Sequence, residues 1–300
     1  MISLIALVGA AAHGQERELP NPSFELGDTS PAGWSLSGGQ GAWETFGRSG
    51  EHCVSVTGTG RDSNYWRLDD VPLQPGKLYR ISYWARVAPG AAGGCIVSGP
   101  SFCNRDFQVG EDWTKRSFVF AAPADVTGSY LRLGQWQKRG TVYFDDASLV
   151  PVMAVHRQRG GIVLGEGESI RGGVYTFKPN WGGEGANFSR PLEAFTASFN
   201  SNRWPLGEGN VLQYRFAPGP EMTSGTVTAE TSYHQAGEAL VEASKDGDVW
   251  TLIGRIDEEG QGSFGLPAAL LPAGELHVRI RSAGSFQIAA FSFAADVAET

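Results

Sequence analysis

Cysteine is scarce, positive charge is in deficit and helical periodicity is missing, and each absence removes a class of protein. Three cysteines in 300 residues are too few for a disulfide-built scaffold. No second paired-cysteine motif is present and no histidine lies near Cys95 or Cys103 in sequence, so a zinc site is not expected. Twenty-four lysines and arginines stand against 32 acidic residues, a net charge of −8. A nucleic-acid partner would want a basic stripe, and none is present. No long window repeats apolar residues at the 3.6-residue helical period. Beyond the first residues, no run approaches the roughly 20 apolar positions of a membrane helix.

Catalytic signatures are missing as well. There is no Gly-x-Ser-x-Gly elbow, no His-Glu-x-x-His and no phosphate loop. His52, His156, His234 and His277 are scattered. The adjacent acids Asp69–Asp70, Glu111–Asp112, Asp145–Asp146 and Glu258–Glu259 do not read as glycosidase pairs. Neighbours on a strand point to opposite faces.

What is present is glycine, proline and aromatic surface. Forty-one glycines and 16 prolines suit many short strands joined by tight turns, and nine tryptophans are many for this length. Residues 1–15 (MISLIALVGAAAHGQ) read as a secretory leader, with small-residue cleavage zones at Ala10–Ala12 and Ala12–Gly14. The other reading of this run is a first strand. A leader implies a secreted, periplasmic or cell-surface protein. Cys95 and Cys103 flank the turn-forming GPSF, which predicts a local disulfide. Cys53, in the alternating run CVSV, is then left as a buried free thiol.

Turn-bounded strand signals recur from Leu19 to Val150: HCVSVTG, KLYRISYWARV, TKRSFVFAAP, SYLRLGQW and TVYFDDASLV. PVMAVHRQRGG (Pro151–Gly161) reads as a linker plus the entry to a second unit. A second series follows, including GVYTFKP, NVLQYRFAP, ELHVRIRSA and FQIAAFSFAA, with a hairpin signal in EASKDGDVWTLIG. LQPGKLYRISY and LPAGELHVRIR echo one another across the halves. The reading is all-β: two antiparallel β-sandwich modules in tandem, 19–152 and 157–298.

Strand parity locates a candidate ligand face. In KLYRISYWARV, Tyr79, Ile81, Tyr83, Ala85 and Val87 point one way, and Trp84 and Arg86 the other. In SYLRLGQW, Leu131 and Leu133 separate from Tyr130, Arg132, Gly134 and Trp136. If the two strands share a sheet, Trp84, Arg86, Arg132 and Trp136 share an outward face. Aromatic rings there would stack on the C–H faces of sugars while arginines donate to hydroxyls or carboxylates. Tyr65 and Trp66, in the polar segment GRDSNYWRL, are candidates for the rim, and Trp43 is a further one. The bland alternative sends the tryptophans into the core, where Trp34 belongs on either reading.

The segments NPSFE (Asn21–Glu25), GW (Gly33–Trp34), SGEHCVSV (Ser49–Val56), LQPGKLYRISYWAR (Leu73–Arg86) and VYFDDASL (Val142–Leu149) occur in an order and spacing that has a counterpart. Over Leu19–Val150 the chain resembles carbohydrate-binding modules of the family 4/9/22 type, with a galactose-binding-like jelly roll. That resemblance implies polysaccharide binding, usually as an accessory to a glycan-degrading enzyme, and a structural calcium ion. Glu25 and Asp146 sit in the segments the family uses for calcium, with Ser49 and Glu51 placed to complete the oxygen shell.

The second module resembles galactose-binding-like or discoidin-like folds only generically, through ASKDGDVW, ELHVRIR and FSFAA. Trp181 and Trp204 lie in Gly/Asn-rich segments, where they serve either as ligand contacts or as staples, and Asn187 opens an Asn-x-Ser sequon. The function expected is non-catalytic polysaccharide binding. Two other classes stay open: a jelly-roll polysaccharide lyase or glycoside hydrolase, and a structural adhesion scaffold. A Tyr/His/Arg cluster in one cleft would favour the lyase.

Overall fold

The computed structural model describes residues 18–298, so the leader at 1–15 lies outside the described residues. Strand signals in the first half become β1 (Trp34–Ser37), β2 (Gln40–Glu44), β3 (Cys53–Thr59), β4 (Ser63–Leu68), β5 (Leu78–Val87), β6 (Cys95–Pro100), β7 (Cys103–Phe107), β8 (Thr114–Ala121), β9 (Leu131–Trp136) and β10 (Arg139–Val152). The second half supplies β11 (Arg157–Arg159), β12 (Ile162–Leu164), β13 (Glu168–Arg171), β14 (Val174–Phe177), β15 (Leu192–Phe195), β16 (Phe199–Asn200), β17 (Trp204–Leu206), β18 (Val211–Phe216), β19 (Thr226–Ser244), β20 (Thr251–Ile256), β21 (Gly260–Gly265) and β22 (Leu276–Asp296). The one helical element among the described residues is a three-residue 3₁₀ turn, Ala268–Leu270. The chain is all-β, as expected.

The first module is a sandwich of two sheets, β2-β3-β10-β5-β8 and β1-β4-β9-β6-β7-β16. The expected parity of β5 is borne out. Ile81, Tyr83 and Ala85 are wholly buried, and Trp84 and Arg86 are half-exposed on the outside. Phe118, Phe120, Val142 and Phe144 flank them within the same sheet, and Leu131 and Leu133 face them from the other. Tyr83 donates its hydroxyl hydrogen bond to Ser98 of the opposite sheet at 2.7 Å, so a deeply buried phenol is satisfied rather than stranded.

The second module bends one nine-stranded sheet over itself. β18 pairs with the first part of β22, Tyr214 opposite Val278. Yet the rings of Tyr214 and Phe216 stack on Phe291 and Phe293, from the far part of the same strand, at 4.5 and 4.2 Å. Only a folded-over sheet brings those rings together. Register shifts in β19 at Glu230/Thr231, Thr231/Tyr233 and His234/Ala236 supply the bend.

Several expectations are corrected here. Within Pro151–Gly161, β10 runs to Val152 and β11 pairs with β12 in a small ribbon. Cys95 and Cys103 are free thiols. β6 and β7 form a hairpin in which Ile96 faces Phe107, so the two cysteines stand at opposite ends of it. At about 3.3 Å per residue that separation is beyond any disulfide. Cys53 is a buried free thiol, as expected, and burial pushes it up to about 12. Trp181 and Trp204 are staples, 5% and 0% exposed. Asn187 is 2% exposed, accepts a hydrogen bond from Ala121 N and donates one to Ala121 O, so it is closed to glycosylation in the folded state.

Candidate carbohydrate-binding face

Parity assigned faces correctly, but the strands belong to different sheets. β5 pairs with β10 and β8, whereas β9 pairs with β4 and β6. Trp84 and Arg86 therefore lie on the outer face of the five-stranded sheet, and Arg132 and Trp136 on the outer face of the six-stranded one. The expected four-residue cluster does not form.

On the five-stranded face the Arg48 guanidinium lies 3.7 Å above the Trp84 ring. Arg86 sits among Phe46, Trp113 and Tyr143, with ring centroids at 5.6, 5.3 and 4.6 Å. These internal cation–π contacts engage Trp84 and Arg86, and Phe46 stays 39% exposed. Trp43 stands opposite the core residue Val54, stacks on His52 at 4.2 Å and donates Nε1–H to Phe24 O, so it packs at the sandwich edge rather than on this face.

Segment 48–52 ties this edge to the chain ends. Glu25 accepts hydrogen bonds from Glu51 N and His52 N. Asp145 accepts from Arg48 N and Ser49 N, and Asp146 takes Ser49 Oγ at 2.6 Å and Arg48 Nη1 at 2.7 Å. The residues expected around calcium do converge. Their lone pairs, however, are engaged by amides, a hydroxyl and a guanidinium, and no cluster of three or more potential metal-ligating groups occurs among the described residues.

The six-stranded face has a different character. Register sets Ser37, Tyr65, Gly134, Val97 and Asp106 in one row across β1, β4, β9, β6 and β7. A neighbouring row runs Ser35, Arg67, Arg132 and Gly99. Trp136, 49% exposed, stands opposite Ser63, one diagonal step from Tyr65. Diagonal neighbours across a pair lie about 7–8 Å apart. Gly134, directly opposite Tyr65, is buried, and a Cβ there would meet the Tyr65 Cβ at 2.3 Å, so its missing side chain lets Tyr65 pack closely over β9.

Tyr130, just before β9, lies parallel to Tyr65 within 5°, ring centroids 6.1 Å apart. Arg67 packs over Tyr130 at 3.9 Å and is paired with Asp69. Arg132 lies 6.0 Å from the Tyr65 centroid. Hydrogen bonds to Ser37 and Tyr130, with help from the two arginines, hold the Tyr65 phenol below its ordinary range. Buried polar atoms without a partner among the described residues include Arg132 Nε and Asn104 Oδ1 on this face. Arg86 Nε, Arg105 Nε and Arg116 Nε share that condition elsewhere.

Of the expected ligand residues, Tyr65, Arg132 and Trp136 are brought together. Trp66 is not a rim residue. GRDSNYWRL is strand, not loop, and Trp66 is 4% exposed, donating Nε1–H to Ser55 O inside the sandwich. Arg67, Tyr130 and Asp106 join the face without having been singled out. Tyr130 shares the parity of Arg132 and was within reach of the pattern. Asp106 was not, since nothing in CNRDF marks its strand partner. By contrast, a depression in the second module lined by Thr223, Ser224, Gly225, Leu266, Leu271 and Pro272 offers neither ring nor charge.

No protein-family model matches the chain, and no curated protein matches its sequence. The solved structures similar to it include carbohydrate-binding modules. The CBM22-1 xylan-binding domain from Paenibacillus barcinonensis is 19% identical, with a TM-score of 0.38, covering 44% of this chain and 93% of that one. The CBM22-1-CBM22-2 tandem domain from the same organism is 13% identical, with a TM-score of 0.40, covering 96% of this chain and 100% of that one. TmCBM61, solved in complex with β-1,4-galactotriose, is 18% identical, with a TM-score of 0.35, covering 45% and 99%.

Proposed function

We propose that this chain binds a polysaccharide without transforming it, on the outer face of the six-stranded sheet. The observation that carries the reading is the exposed Trp136 ring and the half-buried Tyr65 ring, diagonal neighbours on β9 and β4, with Arg132 beside them. Sugar rings present flat C–H faces to such aromatics. The half-exposed Arg132 guanidinium beside them supplies donors for sugar hydroxyls. The setting we propose is secreted or cell-surface, with the chain serving a glycan-degrading partner or an adhesive role.

Titration of the full chain against xylan, β-glucan, galactan and a uronate-containing polysaccharide tests this. Tyr65→Ala or Trp136→Ala should each weaken binding about thirtyfold, the effect of losing about 2 kcal/mol at a hot spot, with the melting temperature nearly unchanged. Binding that survives both changes would sink the proposed face. One observation favours a second reading: the depressed Tyr65 phenol between two arginines resembles the base of a lyase. No histidine stands in either row of this face. Release of unsaturated sugar from the uronate polymer, abolished by Tyr65→Phe, would replace binding with elimination.

Calcium is part of the same proposal, at the junction of Glu25, segment 48–52 and Asp146. Support comes from the 48–52 segment, whose amides and hydroxyl are held by Glu25, Asp145 and Asp146; those carboxylates do not form one cluster, so an ion would have to draw them together. A bound ion would have to take Asp146 from Arg48. A ligand restricted to the native state raises stability by mass action, so EDTA should lower the melting temperature by several degrees. An unchanged transition leaves the junction as protein hydrogen bonds alone.

A further inference from the structure

The last strand of the proposed binding sheet does not belong to the first module. β16, from the second module, pairs in parallel with β7, Phe199 beside Cys103 and Asn200 beside Asn104. Backbone bonds lock it there: Phe199 N donates to Phe102 O at 2.8 Å and Ser201 N to Asn104 O at 2.9 Å. Arg105 reaches across as well, donating to Trp181 O, Ser201 O and Gly182 O. The outer face therefore runs unbroken from β1 to a strand some 100 residues beyond β7 in sequence.

Polar side chains continue over that seam. Asn104 is 6% exposed and donates Nδ2–H to Asp106 Oδ1 at 2.7 Å and to Asn200 Oδ1 at 3.0 Å. Both acceptors fix the orientation of its amide, because the reverse would turn Oδ1 against the Asp106 carboxylate. So oriented, Asn104 Oδ1 has no donor. Asn200 is half-exposed, and its own Nδ2 is not used in any of these bonds. Asp106 lies three strands from Tyr65, roughly 14 Å at the usual strand spacing. Asn200 lies one strand further, so the two ends of the face are separated by more than one sugar ring.

We infer that the second module completes the glycan-binding face, with Asn200 and Asp106 contacting a sugar remote from the one on Tyr65 and Trp136. This rests on the binding reading above and deepens it. Asn104 acts as a positioning residue, holding Asp106 and Asn200 in one plane. The ligand class is an extended chain of hydroxyl-bearing sugars. Asn200 Nδ2–H donates to a hydroxyl oxygen, and a sugar hydroxyl donates to Asp106 or to the unpartnered Asn104 Oδ1. The second module then acts in binding by lengthening the first module's site.

The test uses the full chain and graded β-1,4-linked oligosaccharides of xylose, glucose and galactose, two to six units long, measured by calorimetry. Asn200→Asp keeps the oxygen that accepts from Asn104 but removes the Nδ2 donor, and Asn200→Ala removes both. Both variants should bind the longer members about tenfold more weakly, with disaccharide affinity and melting temperature unchanged. Equal affinity at every length, or equal loss at every length, would overturn the composite face while leaving binding at Tyr65 intact. Failure of the unaltered chain to bind any sugar in either series would remove both readings together.

Discussion

Each tryptophan in the first module is a different physical object, although the sequence offers them on equal terms. Trp66 is enclosed, its indole N–H satisfied by Ser55 O. Trp66→Ala should cost about 3–5 kcal/mol and melt the module, as for other large core residues. Trp84 is outward but roofed by Arg48, so Trp84→Ala should lower stability by less and leave glycan affinity untouched. Melting temperature and affinity measured on the same two proteins separate these outcomes. A loss of binding in Trp84→Ala with normal stability would move the site to the five-stranded sheet.

At the scale of elements, the hairpin between β19 and β20 offers a pH-dependent check. Asp246 accepts hydrogen bonds from Val249 N, Asp248 N and Ser244 Oγ. Those bonds, Val249 N–H foremost, lower its carboxyl from 3.8 to about 2. A depressed acid stabilises the fold above its unfolded value and loses that contribution as pH falls through its folded value. Asp246→Ala should therefore be less stable than the unaltered protein at neutral pH, and the gap should close between about pH 4 and 2. A gap that stays constant over this window would mean the carboxylate is not what organises the turn. The DG in KDGD marked this hairpin plainly, because a tight turn needs positive φ and Gly247 has φ of 78°. β6 and β7 gave no comparable signal. GPSF marked their turn, but nothing local set their register, and register is what separates Cys95 from Cys103.

For the whole molecule, the modules are interlocked rather than strung together. The second module covers one edge of each sheet of the first sandwich. β16 caps β7, and the 184–187 segment caps β8 through Val119 N to Glu184 O and the Asn187–Ala121 pair. Uncovered strand edges invite pairing with other chains. Residues 19–152 alone should melt lower than within the full chain and associate on concentration. Asn187→Ala, which orphans two buried backbone groups of Ala121, should cost about 1–3 kcal/mol and split one calorimetric transition into two. Independent, unchanged melting of the isolated module would show that these contacts carry no coupling.

How much of this the sequence determined follows from the range of the forces involved. Alternation is local, so the all-β class, the inward set of β5 and the outward set of β9 are legible in the residue pattern alone. Arg132 and Trp136 come from that pattern, and Tyr65, read as a rim residue of a polar segment, joins them from the neighbouring strand. Which sheet each strand joins is decided by backbone pairing between residues 29 to 74 positions apart, and no side-chain pattern encodes it. That is why Trp84 and Arg86 parted from Arg132 and Trp136. The same long-range pairing set Asn200 beside Asn104, 96 positions away. A two-residue strand in FNSN carries almost no local signal. Its place on the binding face exists only because an open edge of one module found donors and acceptors on the other.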